Sequence, residues 1–157
     1  MPLAPQEIRT FFITTTTANR RRIFQVEINA ELFLDVLQQN RTKERMRLHA
    51  FVVMPDHVHL LLTPAPDISL EKAMQFIKGS FSFRLQSKLD VWNRSFNEHR
   101  IRTRDDFENH RIYIEQNPVR ANLVKDASEY KFSSLTALHL IDPSPAHIFL
   151  VLKQPPA

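Results

Sequence analysis

The sequence predicts an α+β fold: an antiparallel sheet with helices on one face, in the order β-α-β-β-α-β, plus an additional helix after the last strand. Three observations predict it. Apolar residues recur at helical spacing in Ala30–Arg45 and again in Ser69–Lys88. Between them lie two runs rich in Val, Leu and Phe, Leu48–Met54 and His57–Thr63, broken at Met54-Pro55-Asp56 as two strands meeting at a turn would be. Strand-like segments, Ile8–Thr17 and Val91–Arg102, bracket the set. This is the order of the ferredoxin-like split β-α-β unit, whose sheet keeps one face uncovered.

Each element has its own warrant. Ile8–Thr17 is rich in Thr and Phe, and Arg20-Arg21-Arg22 follows as a basic loop. Leu32, Phe33, Val36 and Leu37 mark the buried stripe of the first helix. After the hairpin, Pro64-Ala65-Pro66 turns the chain, and Leu70, Met74, Ile77, Phe81 and Leu85 mark the second stripe. Gly79 is the weak point of that helix, where a close contact or local irregularity is expected. Thr103-x-x-Asp106 reads as a capping box opening a helix at about Arg104. Pro118 should stop or kink this helix at Asn117. A short tail from about residue 139 carries Pro-Ser-Pro and an apolar run, Ile148–Leu152, expected to pack as an extra element or bind a partner. The reading is one domain over residues 1–157.

Two constellations carry chemistry. In His57-Val58-His59, alternation puts both imidazoles on one face of a strand and Val58, Leu60 and Leu62 on the other. The apolar face belongs to the core, so the rings should project from the uncovered face, roughly 7 Å apart along the strand. There they can converge on one metal ion at about 2.1 Å. The ordinary alternative is a pair of half-buried strand histidines. Tyr113 and Asn117, one turn apart, share a helical face. A phenol and an amide oxygen so placed can serve as nucleophile and metal ligand, or can be a core tyrosine and a helix-terminal asparagine. His49, His99 and His110 have no partner at metal spacing in the sequence and are assigned structural roles.

MPDHVHLLL followed by YIEQNPVRANLV resembles the single-tyrosine HUH transposases, and within them the REP-associated tyrosine transposase branch. FFITTTT, FIKGSFSFRL, WNRSFNEHRIR and YKFSS extend the resemblance over roughly Ile8 to Leu138. It implies that His57, His59 and Asn117 hold a divalent ion, Mg²⁺ or Mn²⁺, and that Tyr113 is the nucleophile. The activity implied is cleavage and rejoining of single-stranded or hairpin DNA through a 5′-phosphotyrosine. Two positions differ: Asp56, where Asn is also familiar, and Asn122, where the family often has Gly. Asn122 must therefore accept the backbone shape the Gly would adopt.

Composition is compatible with that reading. With no Cys, disulfides and thiolate metal sites are excluded, and an intracellular location is expected. A single glycine excludes a glycine-rich phosphate loop. Met1–Glu7 lacks the regions of a signal peptide, and no run reaches the length of a membrane span. With the resemblance, the expected setting is the bacterial cytoplasm and its nucleoid, with the protein a monomer or homodimer. Net charge +4 and a pI of about 9.7 suit a polyanionic partner. Arg20, Arg21, Arg22, Lys78, Arg84, Arg94, Arg100 and Arg102 are candidate DNA contacts. Arg104 and Arg111 also flank the proposed site. Trp92 and Phe96 can stack bases but suit core packing better. Two other classes remain open: a transposase-derived DNA-binding protein that does not cleave, and a metal-dependent hydrolase using His57, His59 and a carboxylate such as Asp56 or Glu98.

Overall fold

The structure is a computed structural model and describes residues 8–149. Met1–Glu7 and residues 150–152 of the apolar run lie outside the described residues. The main elements are β1 (Thr10–Thr16), α1 (Glu27–Thr42), β2 (Met46–Met54), β3 (His57–Pro64), α2 (Leu70–Leu85), β4 (Asn97–Ile101), α3 (Arg104–Arg120) and α4 (Ala146–Phe149). The four strands form one antiparallel sheet in the order β2-β3-β1-β4, the expected split β-α-β topology. No helix among the described residues is long and apolar enough to cross a membrane.

Alternation along the strands divides the interior in two. Ile13, Phe51, Val53, Val58, Leu60 and Leu62 face α1 and α2, packing on Phe33, Val36, Leu37, Met74, Ile77 and Phe81. Each such side chain, fully buried, contributes on the order of 1.5–3 kcal/mol. Trp92 belongs to this core, its ring 5.6–5.8 Å from those of Phe24, Phe33 and Phe81. The opposite face, expected to be uncovered with the Tyr113 helix placed near it, carries a second core under that helix. Ala50, Val52, Met54 and Leu61 pack there on Phe107 and Ile114 of α3, with Ile101, Ile148 and Phe149 alongside. Phe149 meets the ring of Phe107 at 5.1 Å, so the described part of the apolar tail packs as an extra element.

Register makes this second core possible. The pairing shifts between Leu48 and Ala50, which lie opposite Leu62 and Leu61, successive residues of β3. The extra residue, His49, sits in a bulge, so Leu48 faces α1 and α2 while His49 and Ala50 face α3. Without the bulge, Leu48 and Ala50 would share a face.

Several boundaries differ from expectation. α1 begins at Glu27, three residues before Ala30, with an acidic residue in the first turn where the helix dipole favours it. β4 is confined to Asn97–Ile101; Val91 and Trp92 pack in the α1–α2 core and meet the chain beyond β1 only through an isolated bridge, Trp92 to Thr17. α2 runs regularly through Gly79, where an added Cβ would meet nothing within 4 Å, so neither a close contact nor an irregularity occurs. α3 does not stop at Asn117. Pro118 removes one N–H near the C-terminal end, and the helix still closes through Ala121 N to Asn117 O and Leu123 N to Pro118 O. Termination falls at Asn122, whose φ of 60° is the left-handed shape that a glycine supplies elsewhere.

Candidate active site

β3 starts the site. His59 lies opposite Thr14 in the ladder, and its Nδ1 is 2.9 Å from Thr14 Oγ1. Its ring stacks on Phe12 at 5.3 Å, and only 5% of the residue is exposed. Burial, with the charges of His57 and Arg120 behind it, pushes the His59 pKa down to about 3. His59 is therefore a neutral imidazole. His57, at the hairpin, is half-buried with its ring 4.8 Å from that of His59. Its Nδ1 lies 2.7 Å from Asp56 Oδ1, and Asp56 Oδ2 in turn accepts from Arg20 Nε at 3.1 Å. Burial would raise the Asp56 carboxyl, but hydrogen bonds from His57 and Arg20 hold it below the usual range.

α3 supplies the other half. It starts near the Ile101 end of the sheet, capped by Thr103, whose Oγ1 accepts from Asp106 N, and runs back toward the hairpin. Phe107 meets His49, and two turns later Tyr113 meets His59 edge-on at 5.6 Å. Phe12 also touches the Tyr113 ring, at 5.9 Å. From Tyr113 to Asn117 the helix rises about 6 Å, matching the roughly 7 Å that β3 runs from His59 back to His57. Asn117 lies one turn beyond Tyr113 and is 9% exposed.

Of the two tyrosines, Tyr113 is 42% exposed. Tyr130 is set aside by its surroundings: its hydroxyl donates to Val53 O at 2.5 Å, and burial pushes its pKa up to about 12. Arg120, which the sequence reading did not single out, lays its guanidinium 4.1 Å over the Tyr113 ring and donates from Nη2 to Tyr113 O at 2.8 Å. Its signal was present in the spacing, since seven residues are two helical turns. Thr14 and Phe12 were equally legible as one face of β1, but not their partners.

The donor chemistry fits a divalent ion. In both histidines Nδ1 is engaged, by Asp56 or Thr14, and among the described residues Nε2 has no hydrogen-bond partner. A carboxylate on Nδ1, as at His57, fixes the tautomer that presents Nε2 to a metal, and Nδ1–H donation to Thr14 Oγ1 would do the same at His59. Glu98 cannot join them, because it lies opposite Ile13 and so faces the α1–α2 side. Asp56 is occupied in orienting His57.

The basic candidates do not converge on one groove. Arg20 pairs with Asp56 at the hairpin end beside His57, Arg21 donates to Asp90 O, and Arg22 is exposed. Lys78 and Arg84 are on α2, across the sheet from the imidazoles. Lys78 Nζ donates to Asn93 O at 2.8 Å, and Arg84 pairs with Asp35 of α1 at 2.7 Å. Arg94 is exposed ahead of β4, Arg100 alternates away from α3, and Arg102 is exposed at the far end. Arg111 is held in helix pairs with Glu108 and Glu115.

One assignment needs correction. His99 and His110 do have partners at metal spacing: with Asp106 they form a cluster whose ligand atoms lie within 4.8 Å of one another. His49 is structural as expected, bonded to Pro143 O and Thr63 Oγ1.

Comparison with known proteins gives the family and the fold. Residues 9–117 match the family described as Transposase IS200 like. A REP-associated tyrosine transposase of Escherichia coli K12 is 31% identical over 126 residues, covering 80% of this chain and 75% of its own length. A Haemophilus influenzae relative is 26% identical over 138 residues, covering 79% and 78%. The solved structure of a REP-associated tyrosine transposase bound to a REP hairpin has the same fold, with TM-score 0.73, 24% identity and full coverage of both chains. Two imidazoles and an exposed tyrosine on this fold, with a family match over most of the chain, lead to one conclusion: the chain belongs to the IS200-like transposase family and is a tyrosine transposase.

Proposed function

We propose that this chain cleaves and rejoins single-stranded or hairpin DNA of the REP type, with Tyr113 as nucleophile and His57, His59 and Asn117 holding a divalent ion, Mg²⁺ or Mn²⁺. The observation that carries the reading is Tyr113, exposed and 5.6 Å ring to ring from a buried, neutral His59. The ion, when bound, supplies charge neutralisation at the scissile phosphate. The protein's own groups do the rest. Tyr113 Oη forms a bond to phosphorus, the P–O3′ bond breaks, the phenolic proton is lost and the 3′ oxygen takes one up. The product is a 5′-phosphotyrosine and a free 3′-hydroxyl, and attack by a 3′-hydroxyl reverses the step. Arg120 holds the attacking ring from one side and Phe12 from another. Arg20–Arg22, at the hairpin end, are the basic residues best placed to hold flanking phosphates.

The hairpin substrate rests on the solved relative, which is bound to a REP hairpin. Acting on such hairpins, the protein would work at the nucleoid. Incubating it with labelled REP-like hairpin DNA and Mn²⁺ should give a covalent adduct on a denaturing gel, absent with chelator. Binding without any adduct under these conditions would favour the non-cleaving DNA-binding alternative.

A further inference from the structure

Three side chains outside the His57–His59 site meet between β4 and α3. His99 Nε2 is 2.7 Å from Asp106 Oδ2, and His110 Nδ1 is 3.1 Å from Asp106 Oδ1 and 2.8 Å from the Asp106 backbone carbonyl, a hydrogen bond that an ion on Nδ1 would displace. The two imidazoles stack side by side, with centroids 4.9 Å apart and planes 25° from parallel. Local sequence explains the meeting. On β4, His99 alternates in step with Ile101, which packs in the α3-side core, so His99 points toward α3. On α3, Asp106 and His110 are one turn apart, and the Thr103 cap fixes the turn that carries Asp106.

We propose that His99, Asp106 and His110 form a second metal site, for a transition ion of the Zn²⁺ class. Two imidazole nitrogens and one carboxylate oxygen are the donor set of a three-ligand zinc site with water in the fourth position. Around such an ion the ligand atoms sit roughly 3.4 Å apart. The observed contacts of 2.7 and 3.1 Å, and the 4.8 Å limit on the set, bracket that spacing. Nitrogen donors also favour zinc over Mg²⁺, which prefers an oxygen shell.

The site would couple to the chemistry. Among the described residues β4 is an edge strand, paired with β1, and the ion ties it to the helix that carries Tyr113. His110 is three residues before Tyr113 and packs on Phe12 at 4.7 Å, while Phe12 stacks on His59 and meets Tyr113. Occupancy therefore sets how firmly the nucleophile helix is held over the imidazoles. That consequence, unlike the site itself, rests on reading Tyr113 as the nucleophile.

The test uses the full chain as wild type, His99→Ala, Asp106→Asn and His57→Ala, titrated with ZnCl₂ by calorimetry and followed by thermal melting. His99 is half-exposed, so His99→Ala should melt close to wild type without metal. Wild type and His57→Ala should share one Zn²⁺ equivalent that His99→Ala and Asp106→Asn bind at least about tenfold more weakly. The Zn²⁺-induced rise in Tm should be reduced in the same two variants. Unchanged Zn²⁺ binding in His99→Ala and Asp106→Asn, or no Zn²⁺ binding by wild type, overturns the proposal and leaves a hydrogen-bonded ion pair. If the Zn²⁺ equivalent behaves as stated while no protein forms a Mn²⁺-dependent DNA adduct, the metal site stands and the reading of Tyr113 falls.

Discussion

His49 makes the fold sensitive to mild acid. It sits in the β2 bulge, 4% exposed, with Nδ1–H donating to Pro143 O at 2.8 Å and Nε2 accepting from the Thr63 hydroxyl at 2.9 Å. The Thr63 hydroxyl is also 2.7 Å from Thr10 Oγ1, so the ring closes a polar chain across the sheet. Burial pushes the His49 pKa from 6.5 down to about 4. Between those values the unfolded chain binds a proton that the folded chain refuses. The stability held by neutral His49 is therefore complete above pH 6.5 and is withdrawn as pH falls toward 4. At about 1.4 kcal/mol per tenfold, the gap amounts to about 3 kcal/mol, a large share of a typical domain's stability. The assay is urea denaturation from about pH 7 to about pH 4.5, with chelator present, on wild type and His49→Gln. The His59 pKa is also lowered by burial and contributes equally to both curves, so the difference between them isolates His49. Asp56 and Asp142 are held below the usual carboxylate range and titrate beneath this window. Over this range wild type should lose roughly 2.5 kcal/mol more than the variant. Parallel curves would refute the argument.

Gly79→Ala should stabilise the protein by about 1 kcal/mol, because Ala is the better helix former and the site is open; a fall in Tm would show a contact the geometry lacks. Thr15→Val should gain about 1–2 kcal/mol in the same melts, since the buried Thr15 Oγ1 has no hydrogen-bond partner and faces the apolar core opposite Val58. Unchanged or lower stability would mean that the hydroxyl is satisfied. Asn117→Ala should weaken Mn²⁺ affinity and slow adduct formation, with partial recovery at high Mn²⁺. An unaltered Mn²⁺ dependence would remove Asn117 from the ligand set.

What the sequence disclosed follows from the range of the interactions involved. The β3 alternation was legible because Val58, Leu60 and Leu62 declare the core face within six residues, which fixes where His57 and His59 point. Tyr113 and Asn117 were legible for the same reason at helical period. β4 was drawn too long because Val91 and Trp92 are as apolar as a strand residue, and their turn into the core depends on Phe24, Phe33 and Phe81, distant in sequence. The Tyr113 helix was expected near the second face, but the core beneath it was hidden, because it requires the His49 bulge, and a one-residue shift leaves no mark in composition. His99 and His110 looked solitary for a similar reason. One lies on a strand and the other on a helix, and the carboxylate that joins them read as half of a capping box.

The central claim is that Tyr113 attacks DNA beside His57 and His59, and mass spectrometry of the trapped protein–DNA adduct tests it most directly. After nuclease digestion the account predicts a phosphonucleotide on the peptide carrying Tyr113, and no adduct from Tyr113→Phe, which keeps the ring and loses only the oxygen. A phosphonucleotide on Tyr130, or an adduct that persists in Tyr113→Phe, would contradict it.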